Sequence, residues 1–215
     1  MGFSEVGIAH IFLYTIVVLF PVANPVGLSV PFHVMTNHME NRQRRTLAWR
    51  VALYFFLLVA GVLLLGTLVL KAFSLSPGIL DIAGGLVLFH TAWNMLHGTD
   101  EHQQLTSDKS DKDIGFFPLT MPLTADAAVL AVALSLSNSI LHHWDFHVLV
   151  EYGAALGGIG VIALTIGVLY GSSHSTVGWM GQNALKAATS LVALLMLGVA
   201  IEIFVTGIRD ITGTF

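Results

Sequence analysis

The chain has 215 residues, 55% of them hydrophobic and only 10% charged, where a soluble domain carries about 25% charged residues; its mean hydropathy is +0.79. That balance excludes a soluble globular domain and defines an integral membrane protein, and the net charge of −4 adds little because the bilayer decides where charges sit. The absence of cysteine excludes disulfides, thiolate metal sites and cysteine nucleophiles.

In chain order, the first apolar segment covers 7–35. It reads as the first span rather than a cleaved leader, because no basic region precedes it and no small-residue cleavage site comes before it. An unbroken helix of that length would measure about 42 Å at ~1.5 Å per residue, too long for a hydrocarbon core of about 30 Å. Pro21, Pro25, Gly27 and Pro31 resolve the excess by dividing it into a helix, a break and a second short helix. A polar loop at 37–45 carries Arg42, Arg44 and Arg45. Span 2 covers 46–70, a turn follows at 71–78, and span 3 covers 79–96 with the close-packing pair Gly84-Gly85 and a terminal Gly98. The charged stretch 99–113 reads as a linker. Span 4 covers 114–137, a histidine-bearing loop 138–147, span 5 the glycine-rich 148–170, a small-residue loop 171–182, and span 6 184–208.

The expected fold is therefore an all-α membrane protein. Its six transmembrane helices fall into two three-helix units, 1–98 and 114–215, joined by 99–113. Three is odd, so the second unit enters the membrane from the opposite side, and the result is a 3+3 inverted-topology repeat. Lysine and arginine counts place Arg42, Arg44, Arg45, Arg50, Lys109, Lys112 and Lys186 on one side, and Lys71 and Arg209 on the other. By the positive-inside rule the N- and C-termini are both outside.

Each unit opens on a proline-broken helix with the same pattern. Phe20-Pro21-Val22-Ala23-Asn24-Pro25-Val26-Gly27 and Phe117-Pro118-Leu119-Thr120-Met121-Pro122-Leu123-Thr124 both place two prolines four residues apart. Proline lacks the amide that would bond the carbonyl four residues back. Pro25 should free the carbonyl of Pro21 and Pro21 that of Val17, while Pro122 should free Pro118 and Pro118 should free Ile114. In lipid, such groups must face protein, water or a ligand. Amides at a helix start attract anions and carbonyls at a helix end attract cations, so two inverted breaks suit a small zwitterion such as an amino acid. Asn24 and Thr120 occupy the centres of the motifs, Gly27 and Thr124 follow the second prolines, and Pro25, Met121 and Pro122 complete the expected substrate-binding set. The same polar side chains can equally serve as local caps of the breaks.

Asp126, just past the second break, is expected either to bind the solute ammonium or a coupling cation, or to cap its helix; an ionisable residue in a span is a functional candidate by default. Asp81, Asn94 and Glu202 are further coupling candidates, with Glu202 the one expected to be buried. His90 and Asn94 lie four apart on one helix face. His142, His143 and His147 read as a solvated loop rather than a metal site, since no HExxH accompanies them. No nucleotide-binding motif is present, nothing points to nucleic acid, and no cofactor is implied beyond coupling to H+ or Na+.

The residues around Asn24-Pro25-Val26-Gly27, the basic stretch Arg42 to Arg45, Asp81-Ile82-Ala83-Gly84-Gly85 and Phe117-Pro118-Leu119-Thr120-Met121-Pro122-Leu123 resemble the MarC family of integral membrane proteins over essentially the whole chain. The resemblance implies six transmembrane helices in a bacterial inner membrane. It also implies, from an archaeal branch, cation-coupled transport of small neutral amino acids such as glycine and alanine. The chain departs from the family at Asp126-Ala127-Ala128-Val129, where the pattern continues Gly-Pro-Gly-Ala. The expected function is a secondary transporter of small neutral amino acids or similar small polar solutes. The alternatives are a non-transporting membrane scaffold or regulatory subunit, and a membrane metalloenzyme. The expected partners are the solute and the lipid bilayer, with a homo-oligomer left open.

Overall fold

The computed structural model describes residues 7–72, 74–97, 114–141 and 148–213. Among them the chain is all-α: α1 (Gly7–Ala23), α2 (Pro25–Met35), α3 (Asn41–Ala72), α4 (Pro77–His97), a kinked segment π1 (Gly115–Thr124) with hydrogen bonds between residues five apart, α5 (Ala127–Leu141), α6 (Val148–Gly171) and α7 (Ser173–Thr212). Four helices are long and apolar enough to cross a membrane, and six spans result if each bent pair counts as one. The bent pairs are α1–α2, at 40°, and π1–α5, at 70°. Both fall where the paired prolines predict an interruption.

The linker 99–113 and the histidines at 142, 143 and 147 lie outside the described residues. Two boundaries differ from expectation. Arg42, Arg44 and Arg45 belong to the first turns of α3, which begins at Asn41. The predicted loop 171–182 is helical from Ser173 onward: only Ser172 separates α6 from α7, and its amide still donates to the Val168 carbonyl at 2.9 Å. Continuing the helix satisfies the backbone internally, which outweighs the weak helix preference of serine and glycine. A helix of 40 residues is about 60 Å long, and its stretch 187–212 is long and apolar enough to cross a membrane. Gly207, expected at the end of a span, lies inside α7.

Small residues set the packing. A methyl on Gly78 would come within 2.8 Å of the Gly207 carbonyl oxygen, and one on Gly207 within 2.6 Å of the Gly78 carbonyl oxygen. A methyl on Gly85 would meet the Ala200 carbonyl oxygen at 2.9 Å. As α4 advances from 78 to 85, its partner on α7 retreats from 207 to 200, so the two helices run antiparallel with their backbones in contact. α3 and α6 are likewise antiparallel: Arg45 and Ala48 lie by Gly171, Trp49 over Gly167 and Phe56 near Gly160. α1 packs on α6, α5 on α3 and α4, π1 on α3, and α2 on α6, α7 and π1. The shared core runs through Leu19, Phe32, Phe55, Leu88, Leu123, Ile162 and Met196. The outer faces of α3 and α7 expose Leu53, Leu57, Leu64, Leu68, Leu191, Leu194 and Leu195, the surface a lipid-embedded bundle presents.

Candidate functional site

The first break turns on Asn24. It sits in the left-handed region (φ 39, ψ 54), where asparagine is tolerated better than most residues, and it is 7% exposed. Its Oδ1 accepts from the Gly27 amide at 3.1 Å, and its main-chain carbonyl accepts from Leu28 at 3.0 Å. Pro25 occupies the first helical position of α2, where its missing amide costs nothing, and is buried. Gly27 is required by the cap: a side chain there would collide with that of Asn24. The carbonyl of Pro21, expected to be free, accepts from the Asn24 amide at 3.2 Å, as does that of Phe20 at 3.1 Å.

The second break uses the same device one residue before α5. Asp126 Oδ1 accepts from the Val129 amide at 2.9 Å, and the Asp126 carbonyl accepts from Leu130 at 3.1 Å. The structural counterpart of Asn24 is therefore Asp126, not Thr120. Proline spacing aligned the motifs by their start; the caps align them by where the next helix begins.

What separates the two is π1. It is built from two tetrapeptides, Phe117-Pro118-Leu119-Thr120 and Met121-Pro122-Leu123-Thr124, each with a cis X–Pro bond and with extended dihedrals at Phe117 and Met121. Thr120 Oγ1 donates to the Gly115 carbonyl and Thr124 Oγ1 to the Leu119 carbonyl, both at 2.7 Å. Leu119 N donates to the Ile114 carbonyl at 3.4 Å, so that carbonyl too, expected free, is taken up by a one-residue slip. Thr120 and Thr124 are buried, Met121 is half-buried and Pro122 is exposed. Pro122 shapes the backbone rather than lining an interior site.

A tyrosine that the sequence reading did not single out joins the two units. Tyr170, fully buried near the end of α6, lies 3.1 Å from Thr124 Oγ1. Because Thr124 gives its own proton to Leu119, the phenol is the donor. On its other side the Tyr170 ring stacks on Phe32 of α2 at a centroid distance of 4.6 Å. No pattern in the sequence marks this contact, since it is tertiary. A second missed residue is Arg44, only 6% exposed. Its guanidinium reaches the carbonyls of Thr36 at 3.4 Å and Met39 at 3.2 Å, at the C-terminal end of α2 where a cation offsets the helix dipole. It was readable only as one of several basic residues.

Of the coupling candidates only Asp126 belongs to a break; Asp81 and Asn94 lie on α4 and Glu202 on α7. Asn94 pairs with His90 on its own helix at 3.0 Å, beside the Trp93–His97 stack. Asp81 is buried, at 3% exposure, in the early turns of α4. Glu202, expected to be buried, is exposed on α7. Asp81 and Glu202 share a neighbour: both lie within electrostatic reach of Tyr14 on α1. Among the described residues no group of three or more histidine, aspartate or glutamate side chains is placed to hold a metal.

Helices of spanning length, two capped breaks in bent pairs and an apolar outer surface define a multi-pass α-helical membrane protein. The profile described as "MarC family integral membrane protein" matches residues 9–212, and the chain belongs to that family. It is 30% identical over 209 residues to the UPF0056 membrane protein YvbG of Bacillus subtilis, with 94% of each chain covered. It is 26% identical over 213 residues to the UPF0056 inner membrane protein MarC of Salmonella typhimurium, covering 93% of this chain and 95% of that one. Identity to the Citrobacter koseri protein of the same name is 27%. No solved structure matches.

Proposed function

We propose that the protein is a secondary transporter of small neutral amino acids or similar small polar solutes, coupled to H+ or Na+ and built as a 3+3 inverted-topology repeat. The observation that carries the reading is the pair of helix starts, α2 and α5, capped by the same side-chain hydrogen bond but with different charge. Each start is an electropositive end of a helix. Asn24 caps the first without neutralising it, so it favours a carboxylate. Asp126 caps the second with a negative charge, so it favours an ammonium. A zwitterion uses both.

The packing supports the repeat. Exchanging α1–α2 with π1–α5, α3 with α6 and α4 with α7 carries the main contacts onto one another. The α3–α6 and α4–α7 contacts map onto themselves. Those of α1 and α2 with α6 map onto those of π1 and α5 with α3, and α2–α7 maps onto α4–α5. The counterparts α3 and α6, and α4 and α7, run antiparallel, as inversion demands. In this reading the protein lies in the bacterial inner membrane with both termini outside, and alternating access comes from one unit rocking on the other.

Purified protein in liposomes tests the reading, with labelled glycine, alanine and serine supplied under a sodium or proton gradient. Uptake that disappears in Asp126→Asn while folding is retained is the expected result. Neither uptake nor a thermal shift with any of the three would remove the proposal. The competing reading, a non-transporting scaffold, draws on one observation: Asn24, Asp126, Thr120 and Thr124 all bond within their own segments, which a purely structural break would also do. The same assay decides between them.

A further inference from the structure

A crevice opens between α1, α5 and α7, lined by Tyr14, Thr15, Val18, Leu19, Ser135 and Ser139 among others. None of the residues that line it belongs to either break, so it is not part of the site already described. Its enclosed part is about the size of one water molecule, too small for an amino acid.

Four of its lining side chains end in oxygen, from the buried Thr15 and half-buried Ser135 to the exposed Tyr14 and Ser139. The directions of the hydroxyl protons are partly fixed. Thr15 Oγ1 donates to the Ile11 carbonyl at 2.8 Å, and Ser139 Oγ donates to the Ser135 carbonyl at 3.1 Å. With their protons turned back along their own helices, these two oxygens have only lone pairs left to offer. The Thr15 methyl packs against Gly158 of α6, which holds the threonine rotamer. Carboxyl groups are close by: Tyr14 on the wall of the crevice is within reach of Asp81 and Glu202, and Ile203, next to Glu202, is also on the wall. Acceptor oxygens around a water-sized space, beside carboxylates, suit a hard cation and repel anions.

We propose that the crevice between α1, α5 and α7 binds a small monovalent cation of the size of sodium, through the oxygens of Thr15, Ser135, Ser139 and Tyr14 with Asp81 and Glu202 supplying the field. Its role as the coupling ion rests on the transport reading; its existence does not. The site joins α1 of the first unit to α5 and α7 of the second, so occupancy would tie the two units together along the seam where they must part.

Thermal unfolding of the detergent-purified protein tests this, in sodium chloride against choline chloride at equal ionic strength. A ligand that binds only the folded state raises Tm with concentration. The expected result is a saturable sodium-specific rise, with the half-saturating sodium concentration at least tenfold higher in Ser135→Ala and in Thr15→Val and unchanged in Tyr170→Phe, which lies outside the crevice. Should either crevice variant fail to fold, Tyr14→Phe gives the same comparison with the ring retained. Equal melting in the two salts, a response to pH without one to sodium, or crevice variants that respond as wild type would each overturn the proposal. Uptake in liposomes is scored separately: a sodium response without uptake removes the transport reading and leaves the site, and uptake without a sodium response does the reverse.

Discussion

The two breaks solve one physical problem with different residues, and the difference is one of charge and of room. At the first, Asn24 is forced into a left-handed backbone and needs Gly27 opposite its side chain. At the second, Asp126 makes the same bond to the amide three residues on, with Val129 buried in the glycine's place. The first break is bent by 40° and the second by 70°, and only the second is preceded by the tetrapeptide pair. The comparison teaches that the second copy has more freedom in how the chain enters the cap. It therefore accommodates a larger side chain after the cap and a carboxylate in it.

Four substitutions break or sharpen that comparison. Gly27→Val should do most: it expels the Asn24 cap and overpacks the turn, with a combined cost of about 3 kcal/mol. The expected outcome is a large fall in Tm, or no folded protein on size-exclusion chromatography; a fold of normal stability would mean that the cap geometry at the first break is not required. Asn24→Ala leaves the glycine but removes the bond and strains the left-handed residue, for about 2 kcal/mol, read as a smaller fall in Tm. Asp126→Asn makes the second break like the first. Both residues cap well, so Tm should hold while zwitterion uptake falls at least tenfold, about 1.4 kcal/mol in the rate. Unchanged uptake would remove the charge asymmetry from the mechanism. Tyr170→Phe is the mildest, at about 1 kcal/mol for a lost neutral hydrogen bond. Because it loosens the tie between Thr124 and α2 without touching either cap, it should be additive with Asn24→Ala in a double-variant cycle.

Much of the fold was legible in the sequence because membrane burial writes itself into length and composition. The spans at 46–70, 79–96 and 148–170 match α3, α4 and α6 to within a few residues, apart from the earlier start of α3. Both interruptions followed from proline chemistry. What was not legible depends on where the chain resumes its helix and on what it meets there. Aligning the two motifs by their prolines paired Asn24 with Thr120, because the proline spacing alone does not show that a second tetrapeptide extends the break as far as Asp126. The repeated Pro-Leu-Thr was the available signal. The Tyr170 bridge, the burial of Arg44 and the exposure of Glu202 are set by tertiary packing, which periodicity does not encode. The loop expected at 171–182 failed for a different reason, since small residues that favour turns in water are carried along in a helix whose backbone has no better partner.

The seam between α4 and α7 has one more consequence. With the Gly78 and Gly207 carbonyls facing each other's Cα positions and Gly85 lying against Ala200, neither helix can slide or roll without driving backbone into backbone. The pair behaves as a keel. Because α4 belongs to the first unit and α7 to the second, the rocking of one unit on the other proposed above would have to turn about this contact, and the part of the molecule with the least side-chain volume becomes the part that moves least.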